Sequence, residues 1–177
     1  SGKGKCAECH QGPFFTDQEF HALALPQFGP GRTRNLDPYV RDVGRMGETD
    51  RLEDAYRFRT PALRNVALTG PYGHNGAYAT LEGIIRHHLD PLGSLVNWDP
   101  DQVILPKAEW LESIDFVVLE DRLERKRLKS HLDIQPLDLN EGEVTDLVTF
   151  MHALTGKESI WGTLGRPDHV PSGLPVD

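Results

Sequence analysis

Two thiols and an imidazole stand together near the start of the chain, in Cys6-Ala7-Glu8-Cys9-His10. The C-x-x-C-H spacing lets the two sulfurs reach the two vinyl groups on one porphyrin edge and form thioethers. The adjoining His then faces the iron as its proximal ligand. Covalent haem c is the cofactor this motif implies. A dithiol redox pair is expected to follow a strand and open a helix in a βαβ pattern, and nothing ahead of Cys6 reads as a strand. A structural zinc site needs four ligands, and the sequence holds only 2 cysteines.

An iron tethered on one face needs or tolerates an inward-facing donor on the other. Thr80 reads as an N-cap, Glu82 lies in the first turn where the helix dipole favours it, and Asp90-Pro91 ends the run. Leu81, Ile84, Ile85 and His88 then recur at i, i+3, i+4 and i+7 and share one face, while His87 lies roughly 100° round the helix. A His on an apolar stripe is ordinarily a hydrogen-bonded core residue, but a tethered haem makes His88 a candidate ligand. Met46, in the loop Val43-Gly44-Arg45-Met46-Gly47, competes with it. Met151 falls on a stripe expected to be spent on packing. Arg57, Arg59 and Arg64 could pair with haem propionates through bidentate hydrogen bonds, or form a solvated basic cluster.

The elements that must position these residues read as mostly helical. Gln11 to Asp50 shows no sustained period and is expected to be a long ordered loop lining a site. Phe14, Phe15, Phe20 and Phe28 within it suit packing over a flat cofactor, or ordinary core anchoring. His21 reads as a surface or locally bonded residue. Thr60 and Pro61 predict a short helix with Ala62, Leu63 and Val66 on its apolar side, ended by Gly70-Pro71. Lys107 to Leu132 predicts a helix burying Trp110, Leu111, Ile114, Val118, Leu119 and Leu123. Glu141 to Leu154 predicts another, with Asn140 and Glu143 as a capping-box pair, Gly156 as the stop, and Val144, Leu147, Val148 and Met151 buried. The Gly- and Pro-rich tail from Lys157 is expected to be an extended strap.

At 177 residues the chain suits one domain, 1–177, with a helical insertion around 92–135. A formal net charge of -8 argues against nucleic acid as a partner. No apolar run approaches membrane-spanning length. Thioether attachment points to an oxidising compartment, so a periplasmic location is expected. Only Ser1 to Lys5 precede the motif, where a cytochrome c fold normally has a lead-in helix, so a preceding segment is expected to have been removed.

Beyond the haem motif, Phe58-Arg59-Thr60-Pro61-Ala62-Leu63-Arg64-Asn65-Val66-Ala67-Leu68-Thr69, then Pro71-Tyr72-Gly73-His74-Asn75-Gly76 and Thr80-Leu81-Glu82, resemble the C-terminal haem domain of bacterial di-haem cytochrome c peroxidases and the related MauG-type enzymes. The resemblance covers nearly the whole chain. It implies an all-α cytochrome c-type haem domain with long ordered loops. It also implies an electron-transfer role in an enzyme that reduces hydrogen peroxide with electrons from a small periplasmic donor, such as a cytochrome c or a cupredoxin. The N-terminal haem domain, where peroxide is cleaved, is absent from this sequence.

In that family the distal ligand is a Met, or a Tyr in MauG-like members, at the position matching His88. The resemblance therefore favours His88 over Met46. The family's Phe-His-Asp-Gly reads Gly73-His74-Asn75-Gly76 here, which implies for His74 a polar contact near the haem or the domain interface. Thr69 and the Pro71 carbonyl match calcium ligands of an interdomain site. A MauG-like oxidase and a free-standing mono-haem electron carrier are the alternative functions.

Overall fold

The computed structural model describes residues 2–29, 41–103, 105, 107–161 and 169–173. Its centre is a packed pair of helices, α2 (Leu81–Leu89) and α7 (Glu141–Ala153). The Thr80 hydroxyl caps α2 by accepting from the Gly83 N–H at 3.0 Å. At the other end Asp90 closes α2 and caps α3 (Pro91–Val96), where Pro91 gives up no needed donor. The capping box of α7 forms as the sequence predicts: Glu143 N–H donates to Asn140 Oδ1 at 3.0 Å and Asn140 N–H to Glu143 Oε2 at 2.9 Å. Arg86 ties the two helices at their exposed edge, bonding Glu82 on its own helix and Glu141 on the other.

Between them lies an apolar cluster of Leu63, Leu81, Ile85, Val144 and Met151. A second cluster holds Leu25, Ala77, Tyr78 and Trp98, with Phe28 stacked on Trp98 at 5.3 Å between ring centroids. A third gathers Ala22, Ala24, Val43, Met46, Ala55, Tyr56, Leu95 and Leu128. Met46 opens the short α1 (Met46–Thr49). The loop before it is irregular over its described part, apart from β1 (Phe20–His21), which pairs antiparallel with β2 (Phe58–Arg59) in the register Phe20↔Arg59 and His21↔Phe58.

Three expectations are corrected. Thr60 to Asn65 is not helical: the Leu63 N–H donates to the Phe14 carbonyl at 3.3 Å and the Asn65 N–H to the Leu154 carbonyl at 3.1 Å, so tertiary partners take the bonds a helix would use. Only a 3-10 turn follows, at Val66–Leu68. The long helix over 107–132 is three short ones: α4 (Glu109–Glu112), α5 (Val117–Glu120) and α6 (Arg122–His131), the last restarted by an Asp121 cap. Trp110 and Leu123, expected inside, are exposed by 76% and 62%. The strap from Lys157 opens as a helix, α8 (Lys157–Trp161).

Beyond α6, the Asp133 carboxylate accepts from Ala22 N–H at 2.8 Å and from Arg57. Leu137 N–H then donates to the Leu89 carbonyl at 2.8 Å, which returns the chain to the end of α2 and sets Leu139 beside the first cluster.

Candidate functional site

Cys6–Glu8 forms a single 3-10 turn, and the His10 N–H closes on the Cys6 carbonyl at 2.8 Å. This brings the two thiols and His10 onto one short loop. His10 Nδ1–H donates to the Phe15 carbonyl at 3.0 Å. A carbonyl can only accept, so the proton is fixed on Nδ1 and the Nε2 lone pair is left for a metal. Cys6, His10, Phe15, Leu63, Leu139 and Met151 are among the residues around a cavity of about 610 Å³. That size falls in the ordinary range of cofactor pockets, and its walls are largely apolar. The Cys6 thiol and the His10 imidazole at the cavity wall, with the Cys9 thiol on the same short loop, are the donor types a covalent haem requires.

The second histidine of interest lies on α2. His88 Nδ1–H donates to the Ile84 carbonyl, one turn back, at 2.8 Å. Its tautomer is therefore set as in His10, with no hydrogen bond to Nε2 among the described residues. Burial lowers the His88 pKa, and the nearby His10 lowers it further, against the Ile84 bond. Both effects keep the ring neutral, the form a metal binds. His88 shares its side of the helix with Leu81 and Ile85, whose cluster also holds Leu63 and Met151 of the cavity wall.

His87 is fully buried and differs in every bond. The Tyr78 hydroxyl donates to Nδ1 at 2.7 Å, and Nε2–H donates to the Leu23 carbonyl at 2.7 Å. Burial lowers its pKa to about 4. The single apolar face expected of α2 is thus two faces: Ile84 packs toward the Trp98 cluster, where Tyr78 also lies.

Among the other candidates, Met46 is buried in the third cluster, away from the residues that line the cavity, whereas Met151 is one of them. Arg59 is exposed and bonds Gln18 Oε1 at 2.6 Å. Arg64 is exposed, its guanidinium 5.9 Å from the Phe14 ring centroid. Arg57 is committed to Asp133 and to the carbonyls of Phe20 and Glu53.

His74 stacks on Phe58 at 3.5 Å between centroids, with Asp42 Oδ2 at 3.7 Å. Burial lowers its pKa to about 4, so at neutral pH this contact is not an ion pair. Thr69 and Pro71 are exposed. Of the four phenylalanines expected near a cofactor, Phe15 borders the cavity, Phe28 anchors a core and Phe14 is 57% exposed.

Three features were not read from the sequence: Phe150 on the cavity wall, the Tyr78 to His87 bond, and the grouping of Cys9, Asp17 and His21, whose ligand-type atoms lie within 4.8 Å of one another. In this group His21 Nε2–H donates to Asp17 Oδ2 at 2.9 Å, and burial followed by Asp17 raises the Cys9 thiol. The i,i+4 spacing of Asp17 and His21 was the available signal.

No family model matches the chain. It is 30% identical over 179 residues to the cytochrome-c peroxidase IdrP1 of Denitromonas iodatirespirans, covering 90% of this chain and 39% of that protein. It is 40% identical over 83 residues to the cytochrome c peroxidase Ccp of Escherichia coli K12, covering 46% and 17%. The crystal structure of a MauG-like protein associated with microbial copper homeostasis superposes with a TM-score of 0.55 at 25% identity, over 91% of this chain and 45% of that one. The chain spans less than half the length of each of these three proteins.

Proposed function

We propose that this chain, similar over most of its length to a cytochrome-c peroxidase and a MauG-like protein, is the haem c electron-transfer domain, the C-terminal half, of a two-haem peroxidase-like oxidoreductase. The observation that carries the reading is the pair His10 and His88. Each donates its Nδ1 proton to a backbone carbonyl, each keeps Nε2 free, and they stand close enough for one to depress the other's pKa.

Haem c supplies a one-electron iron couple when bound. Cys6 and Cys9 would tether it as thioethers. His10 would hold the iron from one side and His88 from the other, while Phe15, Leu63 and Met151 keep water from the cavity wall. With His10 and His88 both holding the iron, the chain's residues would favour electron relay over peroxide cleavage. Electrons would come from a small periplasmic donor such as a cytochrome c or a cupredoxin. They would pass to a second haem domain, where hydrogen peroxide is reduced. Thr69 and the Pro71 carbonyl would give two oxygens to a calcium ion shared with that domain.

The test is an optical and electron paramagnetic resonance study of the chain matured with haem. One covalent haem per chain, six-coordinate and low-spin in the ferric state, is expected, with poor peroxide turnover. Turnover comparable to that of a full-length peroxidase would overturn the relay role.

A further inference from the structure

Two histidines stand side by side on α2, and only one can be presented to an iron held by His10. We infer that His87 is the positioning residue for the sixth ligand: bonded at both ring nitrogens, it fixes the rotation of α2 about its axis so that His88 faces the His10 side. The inference rests on the reading of His88 as an iron ligand.

The hydrogen bonds carry the argument. The Tyr78 hydroxyl at 2.7 Å and the Leu23 carbonyl at 2.7 Å ask complementary things of the ring. A carbonyl accepts only, so it takes the Nε2 proton. Nδ1 is then unprotonated and must accept from the hydroxyl. The two partners specify one tautomer and leave His87 no lone pair for a metal. His88, with its Nδ1 proton spent on Ile84, offers the complementary arrangement.

The partners also come from separate places in the fold. Leu23 follows β1 in the N-terminal loop. Tyr78 lies in the turn before α2, where a two-way backbone bridge to Tyr72 holds it at 2.7 and 3.1 Å. Neighbouring residues on a helix are roughly 100° apart. Bringing His87 to the iron would therefore need about a quarter turn of α2, and both of its bonds would break in the buried interior. A clamp of this kind resembles the outer partners that orient metal-bound histidines, except that it acts on the residue next to the ligand.

The experiment uses the haem-loaded chain and reads the ferric spin state and the affinity for azide. Wild type is expected to show one low-spin species. His87→Leu removes both bonds and should raise azide affinity by roughly 10- to 100-fold. Tyr78→Phe removes only the hydroxyl and should give a second low-spin species as His87 gains access to the iron. His87→Gln, which keeps an N–H for the Leu23 carbonyl, should return azide affinity toward the wild-type value.

If Tyr78→Phe and His87→Leu lose stability but keep the wild-type spectrum and azide affinity, His87 is a packing residue and the inference fails. If His87→Leu does not take up haem, the spectrum of Tyr78→Phe decides alone. A His88→Ala variant that remains low-spin would defeat the underlying ligand reading instead.

Discussion

Histidine and methionine compete for the second face of an iron on different physical terms. Met46 is 8% exposed and spent on a core cluster, so its truncation should be felt as lost packing. Met46→Ala is expected to cost about 2–5 kcal/mol in denaturant titration and to leave the ferric spectrum unchanged. His88→Ala should do the reverse, opening the iron to added ligands. A sulfur-to-iron charge-transfer band in the wild type, lost in Met46→Ala or Met151→Ala, would overturn the assignment. Imidazole in place of thioether also lowers a haem potential, within a span of about 0.8 V set by axial ligands. The candidacy of His88 was legible because helical phase and the matched family position agree on it. His87 was not, because a phase argument assumes one buried face and α2 has two.

Helix α7 was legible because its cap and its box are local in sequence, although the Gly156 N–H beyond its end bonds the distant Asn65 side chain. Removing the cap tests how much that local chemistry supports the cavity wall it carries. Asn140→Ala should cost about 1 kcal/mol, read by thermal or denaturant unfolding, with the haem spectrum of a loaded sample retained. A loss of haem coordination in this variant would mean that the start of α7 holds the site directly. The segment 107–132 was misread for the opposite reason. Its apolar residues have a helical period, but Asp121 restarts the helix by capping Leu123, and Leu123 then points to solvent. Thr60 to Asn65 was misread because its backbone bonds go to Phe14 and Leu154, residues distant in sequence. Local propensity carries no record of such partners.

At the scale of the whole molecule, the chain spans 39% of the cytochrome-c peroxidase IdrP1 that it matches over 90% of its own length. Calcium prefers six to eight oxygens, and Thr69 with the Pro71 carbonyl would supply only two to the proposed site, so calorimetry on this chain alone should find weak binding or none. Micromolar affinity would show that the ligands are already complete within it.

Acid should unfold the domain for a different reason, traceable to His74 and His87. Burial holds both near a pKa of about 4, while an unfolded His titrates near 6.5. Between those values the unfolded chain takes up protons that the folded chain refuses. Stability is therefore fully present above about pH 6.5 and falls as the pH drops toward 4, by up to about 3 kcal/mol for the fully buried His87 and by less for His74, which is partly open to solvent. Asp42, beside His74, pulls the other way and trims that ring's share. Denaturant unfolding at pH 7 and pH 4.5 measures the loss directly. In His74→Gln, which cannot titrate, the slope between the two should become shallower. A stability that stays flat across this window, or a His74→Gln slope equal to that of the wild type, would show that these rings accept protons in the folded state.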